Sequence, residues 1–133
     1  MRFGHALSSR EKGQAMVEFT LILPVLLMII MGIVEFGRAY SAYLTIQNAA
    51  REGVRLGITG ATDAEVATAV EQVASTLDPS ALTVNVTPAE TSRSPGELLT
   101  VTVSYRFQFL VPLISNIVGS LGNFTSSMTM RLE

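Results

Sequence analysis

The chain has no cysteine and no tryptophan, and only one histidine (His5) and one lysine (Lys12). Without cysteine there is no disulfide framework and no thiolate to attack a substrate or hold a metal. His5 and Lys12 both fall within the first thirteen residues, so residues 14–133 lack imidazole and amine side chains as well. The commonest general base, the commonest metal ligand and the strongest nucleophile are therefore missing from that stretch. Carboxylates, hydroxyls and arginine remain. This inventory predicts no enzymatic role, no metal centre, no cofactor and no small-molecule substrate.

Charge is scarce too, at 15% of residues, and unevenly placed. Residues 1–13 carry Arg2, Arg10 and Lys12 against Glu11, a net +2. Residues 14–133 carry six arginines against ten acids, a net −4. That longer part has no basic patch, which argues against nucleic acid as a partner.

What the chain has in excess is apolar sequence: hydrophobic content is 48% of its 133 residues. The length suits one small domain plus an anchor. Much of the excess lies in Phe19 to Val34, sixteen residues without a charge. A bilayer core of about 30 Å takes about 20 apolar residues as a helix. Residues 15–34 meet that length with snorkelling flanks, so the lipid bilayer is an expected partner. The run is longer than a signal-peptide core and exits into Glu35-Phe36-Gly37-Arg38, which is no small-residue cleavage site. The cations before it predict a cytoplasmic N-terminus, with the rest of the chain outside. Pro24 removes a backbone donor inside the run and frees the carbonyl of Thr20. It reads either as a simple kink or as a flexible point that helps the helix leave the bilayer for a packed bundle.

The helical pattern continues beyond the membrane exit. Tyr40, Tyr43, Leu44, Ile46, Ala49, Ala50, Gly53, Val54 and Leu56 form a mostly i, i+3, i+4 stripe. Glu35 and Arg38 make an i, i+3 pair, Tyr40 and Tyr43 suit an aromatic belt, and Arg51, Glu52 and Arg55 share the polar side. Residues 15–56 as one helix would be about 63 Å long at about 1.5 Å per residue. So long a rod is either an anchor with a juxtamembrane extension or a subunit that bundles through its helix. In the second case Glu35, Arg38, Tyr40, Tyr43, Arg51 and Glu52 are the candidate interaction surface, within the 40–56 stripe and its flank.

Residues 58–133 read as an external α+β domain, one helix packed on a small antiparallel three-stranded sheet. Thr62-Asp63-Ala64-Glu65 is a capping box opening a helix over 63–77, with Val66, Ala69, Val70, Val73, Ala74 and Leu77 on its apolar face. Residues 82–87 alternate as a strand. Residues 88–97 form a polar connection, either solvated or a binding surface. Leu99, Val101, Val103, Tyr105, Phe107 and Phe109 alternate with polar partners as the strongest strand. Residues 110–121 predict a short helix or buried loop, with Pro112 at a helix start. Phe124, Met128, Met130 and Leu132 mark a last strand. So small a module has a thin core, which packing against the upper part of the long helix would enlarge. The sequons at Asn85 and Asn123 are chance matches in a threonine-rich sequence.

Glu18 is the anomaly. A lone carboxylate at the head of a membrane-grade helix is costly. It sits in Lys12-Gly13-Gln14-Ala15-Met16-Val17-Glu18-Phe19, followed by Leu23-Pro24. This segment, together with residues 32–38, residues 47–55 and the end Ser126-Ser127-Met128-Thr129-Met130-Arg131, resembles the TadE-like family, the pseudopilins or minor pilins of tight-adherence pilus systems. The resemblance is tight over 12–57, looser over 98–133 and essentially absent over 58–97. It implies a leader over 1–13, a transmembrane and assembly helix over 14–57, and an external domain over 58–133. It further implies cleavage between Gly13 and Gln14 by a prepilin peptidase. Other implied partners are further pilin or pseudopilin subunits and the assembly platform in the inner membrane of a bacterium. Phe19 departs from the tyrosine usual after that glutamate in the major subunits, and the mature chain is far longer than theirs. Both departures favour a minor subunit or initiator over the main filament protein.

By this resemblance Glu18 becomes the fifth residue of the mature chain. Cleavage would create an α-ammonium on Gln14, with a pKa near 8 in water. A fixed cation stabilises a carboxylate in low dielectric, so Glu18 of one subunit would meet the Gln14 amine of the next. The plainer alternative is a carboxylate that snorkels to the cytoplasmic interface. The competing function is an uncleaved single-pass protein of pilus assembly or adhesion, with 58–133 as its binding module.

Overall fold

The computed structural model describes residues 9–133, apart from the side chains of residues 120 and 121. Arg2, His5 and residues 1–8 of the expected leader lie outside the described residues. Helix α1 runs Ser9–Gly57 and helix α2 Asp63–Val73. Strand β1 (Leu82–Thr87), strand β2 (Leu98–Arg106), helix α3 (Pro112–Val118) and strand β3 (Asn123–Arg131) follow. By packing, the chain divides into one compact unit ending at Val34 and a second running Glu35–Glu133.

The first unit is the apolar part of α1. Its side chains are exposed all round, from Met16 and Leu21 to Ile33, and none of the most apolar window is buried by protein. This stretch is long and apolar enough to cross a membrane. Pro24 leaves the helix unbroken. One turn earlier, the Thr20 hydroxyl donates to the carbonyl of Met16 at 2.8 Å, the back-bonding by which threonine satisfies itself inside apolar helices.

The second unit is built on an antiparallel sheet in the order β1-β2-β3. Val84 pairs with Val103, and Val101 with Met128. Alternation sends Leu99, Val101 and Val103 to one face, where all three are fully buried. On the other face, hydroxyls pair across β2 and β3: Thr100 with Thr129 at 2.8 Å and Thr102 with Ser127 at 2.9 Å. One face is thus apolar and covered, the other polar and open, as an antiparallel sheet permits.

Two helices supply the cover. Val66, Val70 and Ala74 come from α2 and its cap, and Ile46, Ala49, Ala50 and Val54 come from α1. The C-terminal part of α1 is thus an integral wall of the core. Each fully buried valine, leucine or isoleucine contributes about 1.5–3 kcal/mol by leaving water. Small residues let α1 come close. A methyl group placed on Gly53 would lie 2.8 Å from Val70 Cγ2 and 3.2 Å from Val101 Cγ1, and one on Gly57 would lie 2.5 Å from Leu99 Cδ2.

The capping box is present: Glu65 N–H donates to Thr62 Oγ1 at 3.2 Å, and Thr62 N–H donates to Glu65 Oε2 at 2.8 Å. The backbone donor of Thr62 holds the Glu65 carboxyl below its ordinary range. Helix α2 stops at Val73, four residues before the expected end. Ser75 and Thr76, which follow it, favour turns over helix, and Asp78 precedes Pro79, which keeps it out of the helical region. Leu77 stays half-buried against the core.

Strand β2 ends at Arg106, short of the expected Phe109. A strand needs a partner, and β3 begins opposite Arg106, at Asn123. Beyond the last pair Phe107 N–H donates to the carbonyl of Gly122 at 2.6 Å. Gly122 is required there, since a Cβ would stand 2.8 Å from the Phe107 oxygen. Residues 110–118 form a loop and the short helix α3, with Pro112 in its first turn as expected. The segment is not a buried loop: Leu110, Leu113 and Ile117 are exposed.

Candidate functional site

Two carboxylates on α1 stand out, and their surroundings differ. Glu18 is exposed, one helical turn after Gln14, whose side-chain amide donates to Glu18 Oε1 at 3.2 Å. Met16, Val17 and Phe19 around it are at least 60% exposed, so Glu18 is a polar point on an otherwise apolar surface. No cation pairs with it in the described residues. Gly13 also lies within α1, and a Cβ there would meet nothing within 4 Å. Gly13, Gln14, Glu18 and Phe19 therefore form one open stretch of the first two to three turns of the helix.

Glu35 is the reverse case, at 3% exposure. Its Oε1 accepts the backbone N–H of Leu110 at 2.7 Å, and its Oε2 accepts Arg38 Nη1 at 2.9 Å. The Arg38 guanidinium lies 5.1 Å from the centre of the Phe107 ring, a cation–π distance. Phe107 packs in turn on Phe109 and Phe124, and Tyr43 meets Phe124 edge-on at 6.2 Å. The expected Glu35–Arg38 pair is present, and both carboxylate oxygens of Glu35 are engaged within its own chain. It pins the segment after β2 to the point where α1 enters the second unit.

The rest of the expected interaction surface is similarly divided. Ile46, Ala49, Ala50, Gly53 and Val54, the apolar centre of the 40–56 stripe, are spent in the core and cannot also face another subunit. Tyr40 stays 56% exposed, stacked on Phe36 with ring centres 6.3 Å apart. Arg51 is exposed, while Glu52 pairs with Arg55 at 3.0 Å. That hydrogen bond lowers the Glu52 carboxyl and raises the Arg55 guanidinium.

The polar connection 88–97 is tied down where a free loop was one expectation. Arg93 is half-buried and donates to the carbonyls of Ala61 at 3.0 Å and Pro88 at 3.2 Å, and it ion-pairs with Asp63. Glu90 Oε2 accepts the N–H of Asp63 at 3.3 Å. Thirty residues separate Arg93 from Asp63, so no local pattern announces the clamp. Among the described residues, no group of three His, Cys, Asp or Glu side chains stands ready to hold a metal.

A family model described as TadE-like protein matches residues 13–55. The match takes in Gly13, Glu18, Glu35 and Glu52, and ends two residues before the end of α1. The C-terminal strand, including Ser126 to Arg131, lies outside it. No curated protein and no solved structure matches the chain.

The geometry at Glu35 makes one prediction. Glu35→Ala leaves the Leu110 N–H without a partner and removes a charge from beside Arg38. It should destabilise the second unit by about 2 kcal/mol, kept modest because Arg38 is partly solvated. Glu35→Gln retains an acceptor for Leu110 and should cost roughly half as much. Urea unfolding of the full chain in detergent, followed by circular dichroism, measures both. Equal stability of Glu35→Ala and wild type would remove the pinning role.

Proposed function

We propose that this chain, with its TadE-like segment over residues 13–55, is a minor pilin or pseudopilin of a tight-adherence pilus. In this reading a prepilin peptidase cuts it between Gly13 and Gln14, and it then takes part in pilus assembly. It is a structural subunit and not an enzyme. Before assembly it sits in a bacterial cytoplasmic membrane as a single-pass protein, with its N-terminus inside and the unit from Glu35 onward outside. Its partners are the peptidase, other pilin-type subunits, the assembly platform and the bilayer.

The observation that carries the reading is the placement of Glu18. It stands one turn from Gln14, exposed, at the head of an uncharged membrane-grade run. Cleavage after Gly13 would turn Gln14 from a neutral hydrogen-bond donor into the bearer of a cation. Gln14 to Glu18 is one helical turn, so the new ammonium lies within reach of the carboxylate of its own chain or of a neighbour in a bundle. In the bilayer such a pair masks a charge that is otherwise costly. Cutting there requires the start of α1 to open, and Gly13 makes that easier by about 1 kcal/mol relative to alanine.

Two outcomes are expected. Expressed with a prepilin peptidase, the membrane-bound chain should begin at Gln14 by mass spectrometry of its N-terminal peptide. A chain that retains residues 1–13 beside an active peptidase would instead favour the uncleaved anchor. Second, Glu18→Ala should still insert and be cleaved but should be absent from sheared pili on immunoblots. Unchanged incorporation of Glu18→Ala would refute the assembly role of this carboxylate.

A further inference from the structure

The segment between β2 and β3 is both uncharged and largely exposed. Residues 107–122 contain sixteen positions without a charge. Beyond α1, three of the five exposed large apolar side chains among the described residues lie here: Leu110 at 68%, Leu113 at 52% and Ile117 at 76% exposure. Leu113 and Ile117 are one turn apart on α3 and so share a face. Outside this segment only Leu98 and Val73 beyond α1 are comparably exposed among the described residues, and an apolar knuckle of this kind calls for a cover.

Its position indicates the cover. The Leu110 N–H is hydrogen-bonded to Glu35, the residue that follows Val34 at the end of the uncharged run. Leu110, the first residue of the knuckle, is thereby held beside Glu35, and α3 begins two residues later. Phe36 and Tyr40 on α1 are exposed and stacked on each other. Tyr40 lies about 9 Å past Val34 along the helix, and aromatic side chains are those that settle in a headgroup layer. Arg38 spreads over Phe107 with its charge partly in solvent, as an arginine does at an interface.

We propose that Leu110, Leu113 and Ile117 dip into the outer leaflet of the membrane that α1 crosses. The second unit then stands on the lipid surface through α3 as well as through its helix. An amphipathic element lying about 5–10 Å deep at the headgroup boundary gains its apolar area without crossing the bilayer. This rests on the membrane reading of α1 given above. On extraction of the subunit into a filament the knuckle loses its lipid, so lipid contact holds the subunit in the membrane until assembly removes it.

The absence of cysteine makes the test direct. Single cysteines are placed by Val25→Cys, Leu113→Cys, Ile117→Cys and Thr129→Cys in the full chain, spin-labelled, and reconstituted in phospholipid nanodiscs. Collision rates with oxygen and with a water-soluble nickel chelate report depth. Labels at 113 and 117 should shift from the aqueous ratio of 129 toward the lipid ratio of 25. Aqueous ratios at 113 and 117, with 25 in lipid, overturn the knuckle and leave the span intact. An aqueous ratio at 25 overturns both. Spin–spin broadening at 113 that disappears on dilution with unlabelled chain overturns lipid contact in favour of a second copy.

Discussion

The packing of α1 against the sheet is the contact on which the rest of this structure depends. Ile46, Ala49, Ala50 and Val54 cover the same sheet face as Val66 and Val70, and Gly53 brings α1 within touching distance of Val70 and Val101. A sheet of three short strands with one helix of 11 residues has little apolar area to bury on its own. By lending one face of α1 to this core, the chain enlarges the core of a unit of fewer than a hundred residues. The cost is that this face is no longer free to meet another chain.

That division gives the two carboxylates their roles. Glu35 has its hydrogen-bonding needs met by Leu110 and Arg38 and is nearly excluded from solvent, so it holds its own subunit together. Glu18 has only the amide of Gln14 and stands on an open apolar surface, so it is the one with an unmet demand for positive charge. What α1 has left to offer a neighbour lies mostly before Val34, with Phe36, Tyr40 and Arg51 beyond it.

Much of this was legible in the sequence because it is written in local patterns. The uncharged run, the capping box at Thr62 and Glu65, the period-2 alternation from Leu99 to Tyr105 and the Pro112 helix start all depend on neighbours within a few residues. They appear where the spacing places them. Contacts between distant residues were not legible. Nothing near Arg93 shows that it will clamp Asp63, and nothing near Glu35 shows that Leu110 will claim it. Strand β2 stops at Arg106 although the alternation continues to Phe109, because the end of a strand is decided by its partner. Of the i, i+3, i+4 stripe on α1, Ile46, Ala49, Ala50, Gly53 and Val54 are buried, while Tyr40, Tyr43 and Leu44 stay exposed. Periodicity alone does not say whether such a face meets another chain or its own sheet.

Native-state hydrogen exchange on the full chain in nanodiscs tests the shared core most directly. If α1 is a wall of the domain, amides of residues 42–57 open together with those of β2 as one cooperative unit. Val101→Ala, which leaves α1 untouched in sequence, should lower protection in both by the same amount, about 1–3 kcal/mol. If residues 42–57 keep their protection while β2 loses its own, the helix folds independently of the sheet and the account is wrong.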